Sequence, residues 1–219
     1  MAACDSCRDW DYERHANANQ VAGRCREALV DLAHERVDPR STAADSRHIH
    51  RRLFKDLTPS ECAYFAGHYR GSDYPCLRAY DVTVGGSETA PAPHVSSAME
   101  LLASRVMAIL ACLRAGDETP HSLLSKEQKL LYNVVLAAEV HAEFLRIHPY
   151  VNGNGHIGRF IVWCILGTFG YWPRDWPFDD HPHAPYDVAL NLYLAGQQEP
   201  LIQLMLHLII GSAAAAPAP

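Results

Sequence analysis

The sequence has no excess of basic charge. Among 219 residues, 19 Lys and Arg stand against 25 Asp and Glu, which gives a formal net charge of −6. A nucleic-acid-binding domain normally carries a basic footprint, so no nucleic-acid partner is expected. Hydrophobic residues make up 48% of the chain and charged residues 20%. This balance excludes collagen-like and intrinsically disordered proteins and indicates a globular protein with a full core.

The sequence also lacks targeting and membrane signals. Its first residues, MAACDSCRDW, contain neither the basic region nor the apolar stretch of a signal peptide. The longest apolar runs, near residues 160–169 and 204–210, are shorter than the roughly 20 residues that span a bilayer. We therefore expect no membrane partner. The expected location is the cytoplasm, or the outside of the cell if the protein is exported as an effector without a recognisable signal.

Cysteines do not form a pattern typical of a disulfide framework. The seven cysteines are scattered, at positions 4, 7, 25, 62, 76, 112 and 164. Their number is odd, and their spacing matches no common disulfide scaffold. Cys4 and Cys7 make one CxxC pair, but no second pair follows at zinc spacing, so a zinc site is disfavoured. We expect reduced thiols, some of them small core residues.

Strand patterns are nearly absent, and helical patterns dominate. Helices are predicted over residues 12–37 (ended by Pro39), 45–57, 93–113, 125–148, 156–169, 186–194 and 200–211. The only convincing strand signal is Val82-Thr83-Val84, followed by a Gly pair, which indicates a single hairpin within 77–86. The fold class is therefore all-α with one short β-hairpin. We expect an amino-terminal helical extension (1–44), one main domain (45–211) and a disordered tail (212–219).

The segment that carries chemistry is HPYVNGNGHIGR, residues 148–159. A histidine ends a core helix, a Gly-rich turn follows, and another helix begins. Gly153 and Gly155 let the backbone approach a ligand closely, and the N–H groups of such a turn, with a helix N-terminus behind them, bind anions. His156 and Arg159 lie on one side of the first helical turn. The segment predicts a phosphate site with a histidine, His148, that can act as a general base.

This region and several other histidines also have simpler interpretations. GNGHIG also fits GxGxxG, but a dinucleotide-binding fold needs a preceding strand and a parallel sheet, which the helical pattern does not provide. A purely structural turn between helices remains an alternative. His48 and His50 lie two residues apart on a predicted helix and point to different faces, so solvated or locally bonded side chains are favoured over a metal pair. His141 is interpreted as a satisfied core histidine.

The 148–159 segment closely resembles the Fic (Fido) family motif HxFx(D/E)GNGRxxR. IHRRLF at 49–54, AGHYRG at 66–71 and the hairpin around 77–86 resemble other parts of that family, and the likeness covers about residues 45–210. It implies the all-helical Fic fold with a β-hairpin flap. It also implies a protein adenylyltransferase, which transfers AMP from ATP, with Mg²⁺, to a Ser, Thr or Tyr hydroxyl of a target protein.

The resemblance also implies a role for each matching residue. His148 would be the general base, and Tyr150, where Phe is usual, would anchor the loop in the core. Gly153, Asn154 and Gly155 would form the anion hole for the α- and β-phosphates, and Arg159 would hold the terminal phosphate. The protein substrate would pair with the flap by β-augmentation. The flap residues so implied are Arg78, Ala79, Tyr80, Asp81, Val82, Thr83 and Val84.

Two positions depart from the family motif. Asn152 stands where an acidic residue normally coordinates Mg²⁺; it can ligate the ion but supplies no charge. His156 replaces an arginine at the nucleotide site, which removes a permanent charge and several donors. Transfer of another nucleotide or phosphate-bearing group, or a non-catalytic nucleotide-binding module, therefore stay open as alternatives.

Regulation is not explained by a self-inhibitory motif. The nearest match to the family's inhibitory pattern (S/T)xxxE(G/N) is 96–101, where Leu101 breaks it. Regulation is therefore expected from a separate partner or from a homo-oligomer, unless the altered site needs none.

Overall fold

A computed structural model describes residues 4, 7, 10–173, 175–179 and 184–210. The described residues form a helical protein with one small hairpin, as the sequence predicts. The predicted disordered tail, 212–219, lies outside them. The helices are α1 (Gln20–Ala33), α2 (Pro39–Ala44), α3 (Arg47–Phe54), α4 (Ala92–Glu118), α5 (Lys126–Ile147), α6 (Asn154–Gly167), α7 (Tyr186–Leu194) and α8 (Glu199–Ile210), with 3₁₀ turns at Tyr12–Arg14 and Ser60–Phe65.

Helices α5 and α6 form the centre of the molecule. They pack against each other, and α4, α7 and α8 also pack on α5, while α1 and α2 contact α6. Helix α6 is mostly apolar and is buried on nearly all sides, which is typical of a helix surrounded by protein. Its buried side chains include Ile157, Phe160, Ile161, Ile165 and Leu166. The turn between α5 and α6 is therefore held by the best-packed part of the core.

Local signals set the ends of α5. Ser125 and Gln128 form a capping box at its start. At its other end His148 adopts φ 53° and ψ 61°, a left-handed conformation, and Pro149 cannot continue the helix. The predicted helix over 125–148 is confirmed to within one residue at each end. Helix α6 begins at Asn154, two residues before the predicted start, with Gly153 as its N-cap.

The predicted helix over 12–37 is wrong in detail. It divides into a 3₁₀ turn and α1, which ends at Ala33. Pro39 does not end a helix as predicted but is the first residue of α2, where its missing N–H costs no hydrogen bond. The side chain of Asp38 caps that helix. Helix α2 packs against α4 and α6.

Helix α4 is long and apolar enough, by length and composition alone, to cross a membrane. One of its faces is buried in the hydrophobic core, at positions such as Val95, Leu102 and Val106. A buried core helix of a globular protein passes the same test of length and composition.

The cysteine prediction is corrected. Cys4 pairs with Cys76 and Cys7 with Cys62. Among the described residues, Cys25, Cys112 and Cys164 are free thiols, and the first and last of these are buried. Spacing alone could not reveal the pairs because their partners lie 72 and 55 residues apart.

Candidate active site

The predicted site residues of the motif and residues 82–84 of the predicted flap line one cavity of about 790 Å³, whereas predicted flap residues 78–81 lie outside its lining. Its walls include His148, the turn 152–156 and Arg159, together with flap residues 82–85. Tyr12 and Glu13 from the amino-terminal segment and Tyr186 from α7 also contribute to the lining. The motif, the flap and the extension therefore enclose a common space of the size that holds a small-molecule ligand.

His148 lies at the rim of this cavity with a half-buried side chain. Burial, and after it the positive charge of Arg70, lower its pKa to about 4. At neutral pH the ring is therefore uncharged and can accept a proton. Its backbone is fixed, because its N–H donates to the carbonyl of Phe144 (2.9 Å) and its carbonyl accepts from Arg70.

Tyr150 anchors the turn in the core, as the resemblance implies. Its side chain is fully buried, and its hydroxyl finds a partner in Ser46 Oγ at 3.0 Å. Asn154 closes the turn: its Oδ1 accepts from the N–H of Tyr150, and its Nδ2 donates to the carbonyl of the same residue, each at 2.9 Å. The side chain of Asn154 thus holds the backbone of the turn. Only its backbone N–H is left to take the part in anion binding that the sequence predicts.

The start of α6 supplies the anion-binding geometry. The N–H groups of a helix's first turn have no intrahelical acceptors and carry the positive end of the helix dipole. Here they border the cavity, at 154–156. A Cβ on Gly155 would lie 3.0 Å from Nη1 of Arg159, so the bare backbone lets the guanidinium approach. Arg159 is buried beside the turn.

Gly153 cannot carry a side chain. Its φ is 78°, and a Cβ there would lie 2.3 Å from the ring of the buried Phe54. We expect Gly153→Ala to cost roughly 2–4 kcal/mol of unfolding free energy, because it combines left-handed strain with overpacking. Urea denaturation measures this.

The matched control for that prediction is Gly23→Ala in α1, where a Cβ meets nothing within 4 Å. It should be neutral or stabilise the protein by up to about 1 kcal/mol. Equal unfolding midpoints for the two variants would contradict the packing argument.

Asn152, the predicted Mg²⁺ ligand, faces the cavity but already has partners. Its Oδ1 accepts from the N–H of Gly153 at 2.6 Å, and its carbonyl oxygen accepts from His50 Nε2 at 2.9 Å. It can give a cation at most one neutral side-chain oxygen. The residues present therefore fit a magnesium ion held mainly by phosphate oxygens and water.

His156 is turned toward protein groups. Its Nδ1 lies 2.6 Å from the carbonyl oxygen of Phe178, which can only accept, so this nitrogen carries the hydrogen. In the neutral ring, Nε2 then accepts from the Tyr12 hydroxyl at 2.8 Å. For the ring to contact a phosphate, as predicted, one of these bonds would have to be exchanged.

The flap is displaced along the chain from its predicted position. Its strands are β1 (Thr83–Val84) and β2 (Ser87–Glu88), which pair antiparallel and are exposed. Residues 78–81 precede β1 and hold the base of the flap: Asp81 Oδ1 accepts from the N–H of Ala92 at 2.7 Å. Thr83 and Val84 of the predicted flap are thus available for strand pairing. The other predicted flap residues lie outside both strands: Arg78, Ala79, Tyr80, Asp81 and Val82.

Arg70 is the most consequential residue that the sequence did not single out. Its fully buried guanidinium donates to the carbonyls of Ile147 and His148, at 3.0 and 2.8 Å. It also donates to the carbonyls of Tyr80 and Ala90, both at 2.9 Å, and to Thr89 Oγ1 at 3.1 Å. One side chain therefore joins the backbone of the candidate base to both ends of the flap. The only signal in the sequence is its place in AGHYRG.

The prediction of a solvated or locally bonded His50 is wrong. It is completely buried and connects distant segments: Nδ1 accepts from the N–H of Gly67 at 2.9 Å, and Nε2 donates to the carbonyl of Asn152. Its ring stacks on Tyr150, with centroids 3.7 Å apart. His141 is a buried core histidine, as expected, and its Nε2 lies 2.6 Å from the Tyr186 hydroxyl. It is satisfied at that nitrogen only, because its buried Nδ1 has no hydrogen-bond partner among the described residues.

The chain is similar to proteins of one known family. The profile of the Fic/DOC family matches residues 40–166. A curated relative, the protein adenylyltransferase Fic of Nematostella vectensis, is 34% identical over 83 residues. That match covers 38% of this chain and 19% of the relative, so the chain corresponds to about a fifth of that protein's length.

Proposed function

Because the chain belongs to the Fic/DOC family, which supports a transferase-type enzyme, we propose that it is a protein adenylyltransferase. It would transfer AMP from ATP to a Ser, Thr or Tyr hydroxyl of a target protein. The observation that carries this proposal is the common cavity, where His148, the start of α6 and the exposed flap strand face one another. A general base, an anion site and a surface for an extended peptide are the parts that this reaction needs.

In the proposed reaction the target hydroxyl oxygen attacks the α-phosphorus of ATP. The bond between the α-phosphorus and the oxygen that bridges to the β-phosphate breaks, and pyrophosphate leaves. The hydroxyl proton passes to His148, whose ring is neutral at pH 7 because burial lowers its pKa. A bound triphosphate would bring negative charge near this ring and raise its proton affinity, which favours the transfer.

The start of α6 would bind the phosphates. Gly153 and Gly155 leave its backbone N–H groups uncovered by side chains, and the helix dipole stabilises negative charge there. Arg159, buried against Gly155, supplies the permanent positive charge beside this turn. Mg²⁺, where bound with ATP, neutralises phosphate charge, and Asn152 is the residue placed to contribute an oxygen to it.

The flap would hold the target segment. Strand β1 lines the same cavity as the motif, at Thr83 and Val84. In a hairpin of only two strands, each strand has one unpaired edge, which can bond an extended peptide. Because backbone groups make these bonds, the flap can position many sequences, and the hydroxyl that reaches His148 is selected by register.

One observation favours an alternative reaction. The side chain of His156 is bonded to Phe178 and Tyr12, where an arginine of the family motif would present donors to the nucleotide. A site with fewer cationic groups binds a triphosphate less strongly. Transfer of another nucleotide or phosphate-bearing group, or nucleotide binding without transfer, is the second candidate.

Intact-protein mass spectrometry tests the proposal. The protein is incubated with Mg²⁺ and ATP, GTP, CTP or UTP in turn, alone and with a cell lysate. We expect an AMP adduct with ATP, on this chain or on a target protein. An added phosphate, or another nucleotide, would identify the alternative chemistry. No adduct with any nucleotide, together with thermal stabilisation by ATP, would indicate a binding module.

A further inference from the structure

Four cysteines from three segments lie close together. Cys4 and Cys7 lie on the amino-terminal segment, Cys62 on the 3₁₀ turn Ser60–Phe65, and Cys76 on the chain that leads to the hairpin. The sulfur atoms of Cys7, Cys62 and Cys76 all lie within 4.8 Å of one another. The sulfur of Cys4 is bonded to that of Cys76 and so lies next to this group of three.

This arrangement has the composition and size of a tetrathiolate metal site. Zinc binds four cysteine sulfurs tetrahedrally at about 2.3 Å, which places the sulfurs about 3.8 Å from each other. The sulfurs of Cys7, Cys62 and Cys76, which lie within 4.8 Å of one another, fit three corners of that tetrahedron after small side-chain adjustments. The sulfur of Cys4 lies outside this group of three and would move to the fourth corner once its bond to Cys76 is reduced. Cys4 and Cys7 also have the CxxC spacing that is frequent in zinc sites. The sequence contains no second CxxC pair, but the fold brings Cys62 and Cys76 together as the other two ligands.

The surroundings favour a closed, structural site. Cys7 and Cys62 are fully buried, and Cys76 is 9% exposed. Cys4 is half-buried, so three of the four ligands are shielded from water. Four protein ligands leave no open position for a substrate, as in structural rather than catalytic zinc sites. A set made entirely of sulfur ligands selects zinc over magnesium or calcium, which prefer oxygen.

We propose that the four cysteines, when reduced, bind one Zn²⁺ as a structural site. Four S–H bonds break, four Zn–S bonds form, and four protons leave to solvent. The pairs Cys4–Cys76 and Cys7–Cys62 are the oxidised alternative of the same cluster. Converting them into the zinc-binding form takes four electrons and four protons, which a thiol reductant such as dithiothreitol supplies.

The position of the site suggests what the metal does. Just beyond Cys7, Trp10 donates to the carbonyl of Leu57 at 2.8 Å, and Tyr12 reaches His156. Zinc would therefore fix the segment that forms one wall of the cavity. On the other side it would fix Cys76, which precedes the base of the flap. This inference does not depend on the reaction proposed above.

The test measures metal content in the full chain, purified with zinc and dithiothreitol and then freed of unbound metal by gel filtration. We expect about one zinc per chain. Cys7→Ser and Cys62→Ser should each lose it. Cys112→Ser, which removes an exposed free thiol, is the matched control and should retain it.

Cobalt substitution tests the ligands without any variant. A tetrahedral Co²⁺ thiolate site gives strong sulfur-to-cobalt charge-transfer absorption and intense visible bands, which histidine or carboxylate ligands do not produce. We expect both features in the wild-type chain, with bleaching on addition of zinc.

Three results would each overturn the proposal. The first is a chain that holds no zinc after reduction. The second is zinc that persists in Cys7→Ser and Cys62→Ser. The third is a cobalt spectrum without thiolate charge transfer, which would place the metal elsewhere, for example on histidine.

Discussion

Replacing His148 by alanine is expected to lower the rate of AMP transfer by about 10²–10⁴-fold, the usual contribution of a positioned general base. The proposed reaction uses only the imidazole ring of His148, which this substitution removes. Its backbone bonds to Phe144 and Arg70 stay intact, so the cavity should keep its shape. The rate is measured as incorporation of α-phosphate-labelled nucleotide into the target.

Two further variants separate chemistry from folding. His148 has a φ of 53°, which alanine tolerates poorly and asparagine better. His148→Asn should therefore be as inactive as His148→Ala but closer to the wild type in stability. His94→Ala, at an exposed position in α4, should retain full activity. Wild-type transfer rates in either His148 variant would exclude this residue as the base.

The pH profile gives an independent check of the same assignment. A base must be unprotonated, so kcat/KM should fall as the pH drops through the pKa of His148 in the free enzyme. Burial and Arg70 lower that pKa to about 4, well below the ordinary value of about 6.5. We therefore expect the activity to persist to about pH 5. An acid limb centred at 6.5 or above would contradict the environment described for this ring.

Replacing Arg70 by leucine is expected to cost about 5 kcal/mol of unfolding free energy, comparable to the whole stability of many domains. Its guanidinium makes hydrogen bonds to five acceptors, four of them main-chain carbonyls. Leucine fills part of the volume but leaves these acceptors without a donor, and each such buried group costs about 1–3 kcal/mol. Urea denaturation measures the loss.

The same variant should release the flap. With Arg70 gone, neither Tyr80 nor Ala90 remains tied to the turn that carries His148. Amide hydrogen exchange should therefore accelerate over residues 80–90 more than in α5 or α6. Arg36→Leu is the matched control, because it removes an exposed arginine paired with Asp31 and should change stability by less than about 1 kcal/mol. A loss below about 1 kcal/mol in Arg70→Leu would refute this role.

Much of the fold and of the candidate site could be predicted because the relevant signals are local. Helices α5 and α7 follow from apolar periodicity and from their flanking residues, and the structure places them within one residue of prediction. The turn 148–159 could be predicted because its glycines, histidine and arginine are contiguous. The flap lies further along the chain than predicted, because a Gly pair marks a turn but does not determine which residues pair across it.

The contacts that join distant segments could not be predicted from the sequence. In the sequence, Arg70 cannot be distinguished from a surface arginine. Only the folded chain brings four main-chain carbonyls to its guanidinium, those of Ile147, His148, Tyr80 and Ala90. Tyr12 lies 144 residues from the His156 ring that it bonds. His50 lies 102 residues from the Asn152 carbonyl that it holds. No periodicity or spacing carries information about such pairs, because chain packing alone brings them together.

The sequence by itself determined the helical class, the turn at 148–159 and the candidate base, because propensity, capping and motif spacing act within a few residues. Only the tertiary structure decided which groups surround that turn. It turned His156 toward Phe178 and Tyr12, and it gathered four cysteines from three segments. The reason is physical: burial, hydrogen-bond partners and clusters of ligands are properties of the packed core, and they arise only when segments far apart in the chain come into contact.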